Sequence, residues 1–130
     1  MPNGYVGRIL RVDLTTEKRT VEEPSEDFYR MYLGGWGFIA HELAKSAPKG
    51  VDAFAPENPL TFATGVLTGT SVPGSGRHAV GAKSPLTGGF GEADIGGFWG
   101  VELKRAGFDA IVVTGASNRF FEGSGERHSA

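Results

Sequence analysis

The segment from Gly65 to Gly91 contains the residue types that bind an anion. It includes Arg77, His78 and Lys83 but no aspartate or glutamate. Exposed backbone N–H groups between glycines, together with hydroxyls, are donors that a phosphate requires, and an arginine can hold a phosphate through two parallel hydrogen bonds. The segment also carries six hydroxyl side chains, Thr68, Thr70, Ser71, Ser75, Ser84 and Thr87. One interpretation of this composition is therefore an anion site at Arg77.

The same segment has a second interpretation. Eleven of the 21 glycines lie between Gly65 and Gly100, where Trp, Phe, Arg and Pro are interspersed, which is unlike a flexible linker. Such clusters often form only tight turns between short strands, and Arg77 would then be a solvated surface residue. Composition alone leaves the two interpretations equal.

A second candidate position is the pair Gly96 and Gly97, which precedes a predicted helix. The free N–H groups at a helix N-terminus attract anions. Just before them, Glu92 and Asp94 have two interpretations: capping of the helix, or oxygen ligands for a hard cation beside a phosphate. The usual glycine fingerprints of nucleotide-binding loops are absent from the sequence.

The remaining candidate residues do not indicate a metal site or a catalytic group. His41, His78 and His128 are scattered without the spacing of a zinc site, and no Ser-His-Asp arrangement is indicated. We expect Trp36 and Trp99 in the core, although Trp99 has an alternative as one wall of a site for a ring-shaped ligand.

The composition argues against several kinds of site and partner. The chain has 130 residues, a net charge of -2 and no cysteine, so it supplies no thiolate ligand for an iron–sulfur cluster. The near-neutral charge argues against nucleic acid or an anionic membrane as a partner. We see no signal peptide and no apolar run of the roughly 20 residues that span a bilayer, and we expect a cytoplasmic protein.

Several elements must position these residues. Alternating apolar residues predict a hairpin of strands over residues 6–14 and 19–23. Ser25 is a good N-cap for a helix closed by Gly34, and a second helix is predicted from Trp36 to Ala47. The first helix has the apolar stripe Phe28, Met31 and Tyr32, and the second has Trp36, Ile39, Ala40, Leu43 and Ala47.

The second half has mixed elements. LTFATG and HAVGAK are typical of strands, Phe98 to Ala106 of a helix, and FDAIVVTG of a strand buried on both faces. We therefore predict an α+β domain over residues 1–115, with mostly antiparallel short strands and about three helices. The polar tail over residues 116–130 is expected to be disordered.

Five stretches, in order and at matching spacing, resemble the N-terminal domain of the aldehyde ferredoxin oxidoreductase family. They are GRILRVDLTT, YLGGWGFIAHEL, PENPLTFATGVLTGTSVPGSGR, KSPLTGGFG and GGFWGVELKRAGFDAIVVTG.

The resemblance implies a cofactor and its ligands. Enzymes of this family oxidise aldehydes to carboxylic acids and pass the electrons to ferredoxin. They use tungsten, sometimes molybdenum, held by two pterins whose phosphates are bridged by magnesium. By position, Arg77 and Gly96 would contact the pterin, and the backbone carbonyl of Asp94 would bind magnesium.

The sequence departs from the family pattern at several positions. Family members commonly have arginine at the position of Trp36, an aromatic residue at that of His78 and asparagine at that of Asp94. The family's domain also continues beyond Gly115 with a second pterin-binding loop, and its cluster cysteines and acid–base residues lie in later domains.

Three hypotheses remain open at this point. The chain is the incomplete pterin-binding segment of a tungsten oxidoreductase, which works with the remaining domains or a partner subunit and reaches ferredoxin through them. Alternatively, it is a stand-alone, non-catalytic module for a phosphorylated ring compound, or a truncated remnant.

Overall fold

The chain begins with the predicted hairpin, in which strand β1 (Ile9–Asp13) pairs antiparallel with strand β2 (Lys18–Glu22). A computed structural model describes residues 4–118. The other elements, in chain order, are α1 (Glu26–Tyr32), α2 (Trp36–Ser46), β3 (Leu60–Thr64), β4 (His78–Lys83), β5 (Phe90–Ile95), α3 (Trp99–Arg105) and β6 (Ala110–Thr114).

All six strands form one mixed sheet in the order β2-β1-β6-β3-β4-β5. Every neighbouring pair is antiparallel except β1 and β6, which are parallel. This confirms the α+β class, the predominantly antiparallel pairing and the three helices. The predicted tail falls, from residue 119 on, outside the described residues.

The core lies on one face of the sheet, which we call the helix face. Its buried strand residues are neighbours in the register, and they are Ile9, Ala63, Ala79, Ala110 and Val112. Helix α2 covers this face with Phe38 and Ile39. A Cβ at Gly81 would lie 2.6 Å from Cγ2 of Ile39, so glycine is required here for the helix to approach the sheet.

The opposite face, which we call the open face, is apolar but only partly covered. The strand alternation directs Leu10, Phe62, Val80, Ile111 and Val113 to it, and all five are half-buried. Val21, Leu60 and Ile95 on the same face are 39–48% exposed. Helix α3 covers one end, where the Trp99 ring packs against Phe62.

This arrangement corrects the prediction for β6. The strand lies inside the sheet, but it is buried on the helix face only, because α3 is too short to cover the open face. The continuous apolar run AIVV therefore predicted correctly that β6 lies inside the sheet. It predicted wrongly that the strand is also buried on the open face.

The first helix differs from its prediction in two details. The Ser25 hydroxyl accepts a hydrogen bond from the Phe28 N–H, as expected of an N-cap. The left-handed residue after the helix is Leu33, with φ of 61°, rather than Gly34. Tyr29 is the buried aromatic residue and Met31 is 71% exposed, so the predicted apolar stripe is wrong at Met31.

Two buried carboxylates connect distant parts of the chain. Asp109 accepts hydrogen bonds from the backbone N–H groups of Val6 and Gly7 and from the Tyr29 hydroxyl. Glu42 on α2 accepts two hydrogen bonds, of 2.9 and 2.7 Å, from the Arg11 guanidinium on β1. The second pair fixes α2 to the sheet through a bidentate contact.

Among the described residues, no helix has the length and apolar character needed to cross a membrane.

Candidate functional site

Three strands end or begin at one edge of the sheet, and this edge brings the predicted site residues together. Thr64 at the end of β3 pairs with His78 at the start of β4, which pairs with Ile95 at the end of β5. The residues immediately beyond, Gly65, Arg77 and Gly96, are therefore neighbours in space.

The two glycine-rich loops touch at this edge. A Cβ built on Gly76 would lie 2.9 Å from the Gly97 carbonyl oxygen, so the backbone before Arg77 runs directly against the backbone before α3. Only glycine allows this approach without a shift of one loop. Segments separated by twenty residues in sequence thus form one surface.

A cleft of about 250 Å³ opens on the helix face at this edge. The N-terminus of α2 forms one side of the cleft, and the chain on either side of the β4 start forms the other. Its lining residues are Gly35, Trp36, Ala63, Gly65, Arg77, His78, Ala79 and Asp94. The cleft therefore combines a guanidinium, a carboxylate and an aromatic ring.

Arg77 is exposed in this cleft. Within residues 4–118 its guanidinium has no ion-pair partner, whereas Arg11, Arg30 and Arg105 each hold a glutamate. An unpaired arginine at the mouth of a cleft retains all five of its N–H donors for a ligand.

Asp94 lies on the edge strand β5, and this overturns the capping interpretation. The expected helix cap is wrong because Glu92 and Asp94 belong to a strand that the sequence analysis did not predict, and α3 begins five residues after Asp94. The Asp94 carboxylate instead accepts a hydrogen bond of 3.2 Å from the Trp36 indole N–H.

Gly96 and Gly97 lie between β5 and α3, as predicted, and both are exposed. A Cβ at either position would meet no atom within 4 Å, so the space above them is open. Gly97 has a φ of 111°, a conformation that other residues rarely adopt. Helix α3 has only seven residues, so its N-terminus contributes little to an anion site.

Most of the hydroxyls that the sequence offered as ligand donors have partners inside the loops. Thr68 donates to the Arg77 carbonyl, Thr70 to the Leu67 carbonyl, and Ser75 to the Thr70 carbonyl. The Ser84 hydroxyl accepts from backbone N–H groups in the following turn. These hydroxyls fix the shape of the loops rather than facing the cleft.

The two tryptophans do not occupy the core as expected. Trp36 is 52% exposed and lines the cleft, whereas Trp99 is 44% exposed and lies at the open face. Trp99 packs against Phe62 and His78, with ring centroids 5.3 and 4.7 Å away. The aromatic wall of the cleft is therefore Trp36 and not Trp99.

His78 is among the lining residues of the cleft, but its side chain lies under α3. Its side chain is directed to the open face, and a Cβ at Gly100 would come within 2.9 Å of the His78 Cβ. Its Nδ1 is buried without a hydrogen-bond partner. Burial lowers the pKa of His78, while the charge of Asp94 has a smaller opposing effect.

The sequence analysis missed the α2 side of the site. Gly34 has a φ of 121°, and a Cβ there would lie 2.4 Å from the Thr64 carbonyl oxygen. Gly35 donates from its backbone N–H to the same carbonyl and precedes the helix without a side-chain cap. The paired glycines before a predicted helix were the available signal.

No group of three or more His, Cys, Asp or Glu side chains among residues 4–118 is arranged to hold a metal ion. A divalent ion at this cleft would need backbone carbonyls or ligand oxygens for most of its coordination.

Comparisons with known proteins give consistent results. The family model described as "Aldehyde ferredoxin oxidoreductase, N-terminal domain" matches residues 9–121. The tungsten-containing aldehyde ferredoxin oxidoreductase of Pyrococcus abyssi is 50% identical over 115 residues, which cover 88% of this chain and 19% of that protein. The WOR-like subunit of an aliphatic sulfonate oxidoreductase from Pyrococcus furiosus is 38% identical, covering 85% of this chain and 18% of the subunit.

A solved structure shares the fold. The active-site complex BamBC of benzoyl coenzyme A reductase, solved with 1,5-dienoyl-CoA, superposes with a TM-score of 0.88 at 38% identity. The alignment covers 92% of this chain and 18% of that one. The chain thus spans about a fifth of the length of the relatives that it matches. Because the family model covers most of its length, the chain belongs to the aldehyde ferredoxin oxidoreductase family and corresponds to part of its N-terminal domain.

Proposed function

We propose that this chain binds the pterin part of a tungsten or molybdenum cofactor through the cleft between α2 and the glycine-rich loops. The observation that carries the proposal is the unpaired Arg77 guanidinium beside the open backbone of Gly96 and Gly97. When bound, the cofactor supplies the redox chemistry by which an aldehyde is oxidised to a carboxylic acid.

The names of the relatives support a role in cofactor binding. Those names refer to aldehydes, aliphatic sulfonates and benzoyl coenzyme A, which are chemically different substrates. This chain is nevertheless 38–50% identical to the matched segment of each of them. A segment that occurs in enzymes with such different substrates is expected to bind something that these enzymes have in common. The cofactor is the simplest candidate.

Four residues in or beside the cleft have a defined part in this proposal. Arg77 donates two parallel hydrogen bonds to a phosphate or pterin oxygen. Gly96 and Gly97 allow the ligand to approach the backbone, where a side chain would obstruct it. The Trp36 ring offers an aromatic face to the pterin.

Magnesium is assigned to the backbone near Asp94. Strand β5 is the edge of the sheet, and an edge strand has carbonyl groups that no neighbouring strand uses. A carbonyl of Asp94 together with ligand phosphate oxygens would provide the hard oxygen ligands that magnesium prefers. This arrangement leaves the Asp94 side chain free for its contact with Trp36.

The partner in this proposal is the remaining part of a family enzyme, in this or another polypeptide. The 130 residues contain no cysteine, so an iron–sulfur cluster and electron transfer to ferredoxin would depend on that part. The open face supports the proposal, because Val21, Leu60 and Ile95 leave an apolar strip exposed across the sheet. Such surfaces mark contacts with other polypeptides.

The test is a titration of molybdopterin, a pterin with a terminal phosphate, into the purified chain under anaerobic conditions. We expect saturable binding that tightens when magnesium is added, since magnesium joins the phosphate to the backbone near Asp94. Absence of binding would contradict the proposal, and an affinity equal to that of a phosphate-free pterin would contradict the phosphate and magnesium contacts.

A further inference from the structure

Lys104 on α3 is a buried lysine without a carboxylate hydrogen-bond partner. Its side chain is only 5% exposed. The ammonium donates to three backbone carbonyls, those of Gly4, Gly65 and Val66, with distances of 2.6 Å to Gly65 and 3.2 Å to Val66. Burial lowers the pKa of Lys104, and the charge of Asp109 opposes that effect. The lysine therefore occupies a ring of carbonyl oxygens, much as a bound cation would.

Gly65 connects this lysine to the start of the glycine-rich loop. Its carbonyl accepts from Lys104 Nζ and also from the Thr68 backbone N–H at 3.1 Å. Its own N–H donates to the Thr68 hydroxyl at 2.8 Å. Lys104 and Thr68 thus hold the first turn of the loop from both sides.

The Thr68 hydroxyl also forms a hydrogen bond with the backbone of Arg77. It donates to the Arg77 carbonyl at 2.7 Å, and Thr68 is only 3% exposed. Lys104, Gly65, Thr68 and Arg77 therefore form one continuous series of hydrogen bonds. The series leads from the helix that follows Gly97 to the arginine at the cleft.

We propose that Thr68 and Lys104 are positioning residues that set the backbone of Arg77, and so aim its guanidinium into the cleft. This inference rests on the proposed function, because it concerns the same cleft. Neither side chain lines the cleft, so each acts through Arg77 rather than by touching the ligand.

The burial of the Thr68 and Lys104 side chains supports a fixed geometry of the Arg77 backbone. Buried hydrogen bonds that use all available donors have few alternatives, because breaking one leaves an unsatisfied polar group. An exposed arginine has many rotamers, and a fixed backbone reduces the number that must be lost on binding. Removal of the Thr68 hydroxyl should therefore destabilise the fold and, because the Arg77 backbone is no longer held, also weaken binding.

The test compares Thr68→Val with the conservative Thr68→Ser and with a matched control, Thr70→Val. Thr70 lies in the same loop, but its hydroxyl donates to Leu67 and not to Arg77. We expect Thr68→Val to raise the Kd for molybdopterin roughly three- to tenfold, as for the loss of a hydrogen bond. Thr68→Ser should restore the affinity, and Thr70→Val should leave it unchanged.

A double-mutant cycle with Arg77→Ala shows whether Thr68 acts on binding through Arg77 or has only a general structural role. In an Arg77→Ala background, Thr68→Val should cause no further loss of affinity. Thr68→Val that weakens binding equally with and without Arg77 would overturn the proposal. Lys104→Gln gives a second variant with the same expected pattern, should Thr68→Val fail to fold.

An NMR measurement without ligand distinguishes failure of this proposal from failure of the proposed function. The peptide bond of the His78 amide contains the Arg77 carbonyl, so its ¹⁵N–¹H signal should shift in Thr68→Val and return in Thr68→Ser. An unshifted His78 signal overturns the positioning role whatever the binding result. A shifted signal, combined with an Arg77→Ala chain that binds molybdopterin normally, contradicts the proposed function instead.

Discussion

The indole N–H of Trp36 donates a hydrogen bond of 3.2 Å to the Asp94 carboxylate, and this bond crosses the mouth of the cleft. Trp36 is the first residue of α2, and Asp94 lies on the edge strand β5. Helix α2 packs on β3 and β4, and this contact connects its first residue to the strand at the edge of the sheet. The family resemblance had indicated arginine and asparagine at these two positions, so the pair distinguishes this chain.

The first prediction uses this tryptophan as a probe of ligand binding. The chain contains only two tryptophans, and Trp99 lies on the other face of the sheet. We expect molybdopterin to quench the fluorescence of the wild-type chain and of Trp99→Phe, but not that of Trp36→Phe. Equal quenching in both variants would show that the ligand does not sit against Trp36.

The second prediction concerns the glycines that permit close approach. Gly96→Val should leave the thermal stability nearly unchanged, because no atom lies within 4 Å of the added Cβ, but it should weaken molybdopterin binding. Gly81→Val is the matched comparison and should destabilise the fold strongly, since its side chain would overlap Ile39. Thermal melts and titrations of both variants provide the measurement. A Gly96→Val chain that binds normally would place the ligand elsewhere.

The third prediction concerns the buried ion pair between Arg11 and Glu42. Glu42 is 2% exposed, so Glu42→Gln should lower the free energy of unfolding by about 3 kcal/mol. That figure is the lower end of the usual range, because Arg11 retains its ion pair with Glu22. Glu26→Gln removes an exposed pair with Arg30 and should change urea unfolding little. Equal effects of the two variants would show that the Arg11 contact does not anchor α2.

The fourth prediction is a pH dependence due to His78. Burial lowers the pKa of His78 in the folded chain below the usual value of 6.5. The unfolded chain therefore binds a proton first, and stability falls as the pH drops below about 6.5 until the folded-state pKa is reached. His78→Phe should flatten this part of the profile in urea unfolding between pH 7 and 5. A slope that persists in the variant would have to come from other groups.

Local sequence patterns predicted much of the fold. The β1–β2 hairpin, the Ser25 cap, the strands at LTFATG and HAVGAK and the helix before Gly107 lie where alternation and capping indicated. These features depend on neighbouring residues, which a single sequence displays. The residues Arg77, Asp94, Gly96 and Gly97, which the family resemblance had grouped, lie close together in the structure, and their role in binding stays a prediction.

Other features depend on contacts that the sequence does not display. Strand β5 has the sequence FGEADI, whose two acidic residues and glycine disfavour a strand, and pairing with β4 overrides that preference. Trp36 was expected in the core because it fits the apolar spacing of α2, but the buried side of the helix is that of Phe38, Ile39 and Glu42. The roles of Lys104 and Thr68 depend on carbonyl groups far away in the chain, which no local pattern indicates.

The central claim is that Arg77 holds the phosphate or a pterin oxygen through two parallel hydrogen bonds, and one titration tests it most directly. The Kd for molybdopterin is measured for the wild-type chain, Arg77→Lys and Arg77→Ala. Lysine keeps the charge but loses the paired donors, so we expect Arg77→Lys to weaken binding by about 1.5–3 kcal/mol, and Arg77→Ala by at least as much. Equal affinity of the wild-type chain and Arg77→Ala would contradict the claim.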